Sequence, residues 1–376
     1  MKNRKTITII VIIILISMAI AYMYNINYTT RGYIGLTINK LEGKSLNKNF
    51  NVKIKSGNLC TDYNVSTVLN DIYKFNLNTI NVPVAINIKS TVSSSMQIDS
   101  ASRNKAIELL RILKGKNINI ILEPYPWIEN GSKPETELNP EDVNEFFYNW
   151  ENNVLKPLID DIAVPYHVNA LVIGTSFTEI EKNENQLCDM ADFVRKYYKG
   201  LITYRTSFWI TADWNDPSTK ELQDKLQKKY QEKLSNEIFS KIDFISIAAY
   251  FELTDNDTNT KDNLVKAISS SQRYARKQNI KKEIENFYTR WHKPIFFGEL
   301  GFPKTDKASV EPWNPYLTNI VNSQEQANCF EAYREAFKNE SWLLGFSVFS
   351  IGNSDKNHRY YPGKESTEII KNWYKK

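Results

Sequence analysis

The sequence is poor in the residues on which most metal and redox chemistry depends. Its 376 residues include three cysteines, Cys60, Cys188 and Cys329, and three histidines, His167, His292 and His358. The cysteines are odd in number, far apart and form no CxxC pair, which excludes a disulfide framework. No HExxH or comparable spacing joins the histidines, so no metal site is expected. Walker and GxGxxG loops are missing too, so neither a nucleotide nor a cofactor is expected. The formal charge is only +5, and lysine and glutamate are interleaved rather than clustered. That pattern carries no nucleic-acid footprint.

Aromatic residues, by contrast, are plentiful: 12% of the chain, with 8 Trp and 21 Tyr. Such rings pack in cores, and they also stack on the apolar faces of sugars and bases. The N-terminus is the second distinctive feature. Lys2, Arg4 and Lys5 make a basic segment over residues 1–5, followed by an apolar run over residues 6–24. A charged start and about 18 apolar residues are the pattern of an export signal at the lower length limit of a membrane span. The positive-inside rule then places the body outside the cytoplasm. Ala19-Ile20-Ala21 offers a cleavage site for a secreted form, whereas Tyr22 and Tyr24, suited to a membrane interface, favour a retained single-pass signal anchor. Residues 25–31 read as a linker, and residues 32–376 as the folded body.

Along the body, short apolar runs alternate with segments of helical period. Strands are expected at residues 33–38, 79–84, 118–122, 170–174, 201–204, 242–249, 295–297 and 344–349. The stretch from the first of these strands to Asn58, rich in Lys and Asn, reads as a loop insertion. Val65, Val68, Leu69 and Ile72 mark one helix face, as do Ala106, Leu109, Leu110 and Leu113. A single helix is expected over about 262–288. Eight strands separated by helical segments is the count for a (β/α)8 TIM barrel. An open doubly wound sheet would want a glycine-rich phosphate turn, and there is none.

In such a barrel, polar residues at strand C-termini face the active-site mouth. The candidates are Asn39, Glu123 with Tyr125 and Trp127, Ser176 with Glu179 and Glu181, Asp213 with Trp214, Tyr250 with Glu252, and Glu299. Glu299 follows the run Ile295 to Phe297 and a glycine, ahead of a turn through Gly301 and Pro303. Two carboxylates across a cleft lined by tryptophans is the arrangement that cleaves a glycosidic bond. One acid attacks or stabilises the anomeric carbon while the other protonates the leaving oxygen. The bland reading of each residue is an acid paired with a base or a ring buried in the core.

The stretch Lys293-Pro294-Ile295-Phe296-Phe297-Gly298-Glu299-Leu300-Gly301-Phe302, followed by Glu311-Pro312-Trp313, resembles the seventh-strand motif of glycoside hydrolase family 113. That family comprises retaining β-mannanases within the large clan of (β/α)8 glycosidases. Residues 243–251, ending in Ala248-Ala249-Tyr250-Phe251, are similar to its sixth-strand segment, and Gly363-Lys364 with Trp373-Tyr374 to its closing helix. The resemblance implies that Glu299 is the nucleophile, with Tyr250 hydrogen-bonded to it, and that the substrate is an oligo- or polysaccharide of mannan type. It also implies an acid/base glutamate after the fourth strand, where this chain has Ser176. A serine cannot serve as that acid at neutral pH. Glu179 is the expected relocated acid, with Glu123 and Glu252 as fallbacks; Trp127, Trp214 and Trp313 are expected to bind sugar, alongside Tyr250, Ser176 and Glu123. Phe349 stands near the place of a tryptophan under the scissile sugar. Three readings follow: a membrane-anchored glycosidase acting on mannan-like or envelope glycan, a glycan-binding pseudo-glycosidase lacking the acid/base, and a structural envelope protein with a vestigial cleft.

Overall fold

A computed structural model describes residues 46–355 and 357–374. The N-terminal basic segment, the apolar run, the linker, the strand expected at residues 33–38 and Asn39 lie outside the described residues. Among the described residues, no helix is long and apolar enough to cross a membrane.

Nine strands form one sheet: β1 (Ile54–Leu59), β2 (Thr79–Ile88), β3 (Met96–Ile98), β4 (Asn119–Ile128), β5 (Ala170–Thr175), β6 (Leu201–Ser207), β7 (Ile245–Ala248), β8 (Ile295–Leu300) and β9 (Leu343–Ile351). β3 is a short antiparallel partner of β2. The other eight run parallel in the order β1-β9-β8-β7-β6-β5-β4-β2, and β1 pairs with β2 to close the ring. With helices between the strands, this is a closed (β/α)8 barrel.

The ring closes on a strand that the sequence did not reveal. β1 lies in the Lys- and Asn-rich stretch expected to be a loop. Its residues Ile-Lys-Ser-Gly-Asn-Leu are all buried, but Ser56 and Asn58 put polar groups where a periodic strand would show apolar ones. A second correction concerns the helix expected over 262–288. It is two helices, Lys261–Ser269 and Ile280–Trp291, separated by an irregular segment with a 3-10 turn at Arg273–Ala275. Tyr274 sits there at φ 51°, a left-handed backbone that stops a helix.

Inside the barrel, composition changes from one end to the other. Near the N-terminal ends of the strands, Ile54, Ile121, Ala170, Val172, Leu201, Phe244, Phe296 and Leu344 form one apolar cluster. Leu46 and Phe50, just ahead of β1, pack onto it, with Phe50 edge-on to Phe244 at 6.2 Å. Further along, the inward positions turn polar and charged: Asn58, Asn81, Glu123, Thr175, Arg205, Ser246 and Glu299, all buried. The apolar layer carries the hydrophobic stabilisation, and the polar layer above it can be kept for chemistry.

Candidate active site

Alternation along β4 sets up the site. Successive strand side chains point to opposite faces, so Ile121, Glu123, Tyr125 and Trp127 share the inward one. Ile121 is in the apolar plug, and Glu123, two residues on, is the first charge above it. Its carboxylate is fully engaged. Arg205 Nη1 donates to Oε2 at 2.9 Å and Arg205 Nη2 donates to Oε1. Asn81 Nδ2 donates to Oε2 at 2.6 Å and Thr175 Oγ1 to Oε1 at 2.9 Å. Asn81 also donates to Asn58 Oδ1, and Asn58 Nδ2 to the Gly298 carbonyl at 2.7 Å. One network thereby joins β1, β2, β4, β5, β6 and β8.

Arg205 Nη2 makes a second ion pair, with Glu299 Oε1 at 2.7 Å. The pairing of β8 with its neighbours shifts register on both sides of Glu299, placing Ala248 opposite Glu299 and Val348 opposite Leu300. Gly298 is required by close approach. A Cβ there would lie 1.9 Å from Ser246 Oγ and 2.9 Å from Arg205 Cδ. Any side chain would push Arg205 away from the carboxylate it serves. The phenol of Tyr250, buried beside this pair, hydrogen-bonds to Glu299.

A further carboxylate enters from a loop. Glu135 begins the 3-10 turn Glu135–Glu137 beyond the end of β4 and is half-buried. It lies within hydrogen-bonding reach of Tyr125, and its charge acts on Arg205, Glu123 and Glu299. Three carboxylates thus surround one guanidinium. Burial pushes the Glu299 carboxyl up to about 7; Glu135 and Glu123 add to the rise, while Arg205 and Tyr250 oppose it. Burial also raises Glu135 above the usual carboxylate range, with Arg205 and Tyr125 opposing and Glu123 adding. Two acids with raised affinity for a proton, their charges coupled at the C-terminal end of a barrel, are suited to acid–base work. No strand period or motif spacing pointed to Glu135, because it stands on a loop.

The other expected residues fall into two groups. Phe349, Tyr250 and Tyr360 form an aromatic corner beside Glu299, with centroids 5.1–6.3 Å apart. Phe349 and Tyr360 are part-exposed and offer ring surface to the cleft. Trp127 is half-buried beside Tyr125 and packs over Gly131. Trp214 and Trp313 belong to another cluster, built by the broken helical segment. Trp214 Nε1 donates to the Tyr274 carbonyl at 2.9 Å, and Trp313 Nε1 to Glu252 Oε1 at 3.4 Å. Arg276 and Arg273 clamp Glu252 at 2.5 and 3.5 Å, which removes it as a free acid.

Ser176 follows the last residue of β5 at φ 49°, buried, its N–H donating to the Arg205 carbonyl at 2.7 Å. The chain then turns so that Phe177 is buried and Glu179 is exposed. The turn therefore does not carry Glu179 inward: no hydrogen bond or ion pair among the described residues ties it to Glu299, and it is not among the main charges acting there. Glu181 is committed elsewhere, accepting from Tyr204, Thr206 and Lys233.

The raised proton affinity of Glu299 has a consequence for stability. An unfolded glutamate ionises near 4.5 and the folded one near 7. Between those values the folded state holds the extra proton, so this residue's contribution falls as pH rises through the window. Glu299→Gln mimics the neutral form and should be more stable than wild type at pH 8, by up to about 3 kcal/mol. The gain should vanish toward pH 4.5, as read by urea unfolding at both pH values.

The comparisons with known proteins agree with this geometry. The family model for Glycoside Hydrolase Family 113 matches residues 49–367. A GH113 β-mannanase from Alicyclobacillus acidocaldarius, solved in complex with ManMIm, superposes with TM-score 0.64 at 15% identity, covering 86% of this chain and 98% of its own. A GH113 β-1,4-mannanase does so with TM-score 0.62 at 18% identity, over 86% and 99% of the two chains. A family 5 mannosidase from Rhizomucor miehei shares the fold at TM-score 0.53 and 10% identity, over 86% and 92%. No curated protein matches the chain. The match over most of the chain settles the family: this protein belongs to glycoside hydrolase family 113.

Proposed function

We propose that the protein is a retaining β-glycosidase that hydrolyses a mannan-like or envelope polysaccharide outside the cytoplasm. The observation that carries this reading is the buried Glu299 at the end of β8, held by Arg205 and Tyr250 and near enough to Glu135 to feel its charge. In this reading Glu299, once ionised, attacks the anomeric carbon. Tyr250 and Arg205 fix the attacking oxygen, and the glycosidic bond to the leaving oxygen breaks as the glycosyl–Glu299 ester forms. Glu135, whose proton affinity burial raises, gives a proton to that oxygen. It then takes a proton from the water that releases the sugar. Glu123 touches no free position: with four donors on it, its role is to hold Arg205. Phe349, Tyr360 and Trp127 supply ring faces for sugars nearest the bond, and Trp313 and Trp214 for sugars further out.

The place of the protein follows from its first 24 residues. The basic start and apolar run support a single-pass anchor with the barrel outside, or a cleaved signal and a secreted barrel. A reporter active only outside the membrane, fused to the C-terminus, should be active; a cytoplasmic signal would contradict this.

A second reading, a glycan-binding barrel without turnover, is favoured by one observation. Ser176 stands at the end of β5 where the resemblance places an acid, and its buried hydroxyl cannot replace one. Kinetics separate the two. Glu299→Gln should abolish hydrolysis of every substrate. Glu135→Gln should slow glycans with poor leaving groups by about 10²–10⁴-fold, yet largely spare aryl glycosides, whose leaving groups need little proton assistance. Glu179→Gln should change neither rate. For wild type, kcat/KM on aryl substrates should rise as pH passes about 7, where Glu299 ionises. Binding of mannan oligosaccharides with no turnover of any substrate would select the second reading.

A further inference from the structure

Cys60, Asp62 and His358 are scattered in sequence and outside the site described above, yet the fold brings them together. Their ligand atoms all lie within 4.8 Å of one another. His358 Nε2 is 3.1 Å from Asp62 Oδ2, and Asn353 Nδ2 donates to that same oxygen at 3.1 Å. Cys60 and Asp62 sit just beyond the end of β1, and His358 in the loop that follows β9. These two strands are parallel neighbours in the barrel. Other contacts join the same two loops: Asn64 N donates to the Gly352 carbonyl at 2.8 Å, and Cys60 Sγ to the Ile351 carbonyl at 3.4 Å.

We propose that Cys60, Asp62 and His358 form a zinc site that clasps the barrel at its β1–β9 seam. The donor set is the first argument. A thiolate, an imidazole and a carboxylate are the three protein ligand types that zinc takes, whereas calcium and magnesium prefer oxygen alone. Distance is the second. Zinc bonded at about 2.0–2.3 Å to each atom needs ligands roughly 3.3–3.7 Å apart, so adjustments of about 1 Å complete the triangle. Charge is the third: a thiolate and a carboxylate neutralise the dication. On binding, the Cys60 S–H bond gives way to an S–Zn bond and its proton leaves to solvent. Asp62 is exposed, so water can take the fourth position. The clasp would also fix the loop that ends in Tyr360, the ring at the aromatic corner beside Glu299.

Chain composition makes the test clean, because the only other cysteines are Cys188 and Cys329, and the only other histidines His167 and His292. The full-length chain, purified metal-free in detergent, is titrated with Zn²⁺ by calorimetry and with Co²⁺ by absorption. The expected result is one site, a thiolate-to-cobalt charge-transfer band, and a melting temperature that rises with zinc as mass action requires. Cys60→Ser and His358→Gln should each weaken zinc binding by more than about tenfold, and Cys60→Ser should remove the band, while Cys188→Ser changes neither. The absence of stoichiometric binding, or a band that survives Cys60→Ser, would overturn the proposal. Intact wild-type circular dichroism in both variants excludes misfolding as the cause of lost binding.

Discussion

The interaction on which the site depends is one buried guanidinium shared by two carboxylates. Arg205 lies at the centre of the barrel, paired with Glu123 on one side and Glu299 on the other. Burying three charges costs far more than burying none, and the cost is tolerable only if every lone pair and proton finds a partner. Glu123 meets that condition through Asn81 and Thr175, and Asn81 is itself fixed by Asn58. The polar layer across β1, β2, β4, β5, β6 and β8 is therefore one structure, and Glu299 is its least compensated member. That imbalance leaves Glu299 with a proton affinity near neutrality, and a carboxylate so placed is reactive because its surroundings do not fully satisfy it.

Much of this was legible in the sequence, but by two different routes. The apolar run Ile295 to Phe297 ending in Gly298 and Glu299 announces a buried strand with an acid at its mouth, and the structure has one. Seven of the eight expected strands stand in the barrel, and resemblance gave the family. What escaped has a common physical cause. β1 was hidden because its inward residues Ser56 and Asn58 serve the polar network, so the strand breaks the apolar pattern by which strands are found. Glu135 was hidden because it stands on a 3-10 turn in a loop, where neither period 2 nor period 3.6 has meaning. Arg205 lies just past the strand expected over residues 201–204, and no motif singled it out. Sequence periodicity finds residues that hold a fold together, and these three positions serve the site instead.

The contrast between Ser176 and Glu135 bears on how one barrel can move a proton donor. Strand ends give fixed positions, and β5 is followed by a serine at which the left-handed conformation turns the backbone sharply. The loop after β4 is under no such constraint. It runs past Trp127 and Gly131 and returns a carboxyl to the same cleft through a proline-led turn. A glutamate there meets burial and the negative charge of Glu123, which raise its affinity for a proton against the pull of Arg205 and Tyr125. The chemistry needs a proton at a place, and the fold offers more than one backbone from which to deliver it.

Attack of Glu299 on a sugar is tested most directly by incubating the protein with a mannoside that carries a 2-fluoro group and a good leaving group, then mapping the product by mass spectrometry. Fluorine slows release of the glycosyl-enzyme more than its formation, so the ester accumulates. One fluoroglycosyl adduct per chain is expected, on the peptide that contains Glu299, and none in Glu299→Gln. An adduct on another carboxylate, or turnover of the activated sugar with no adduct on Glu299, would contradict attack by Glu299.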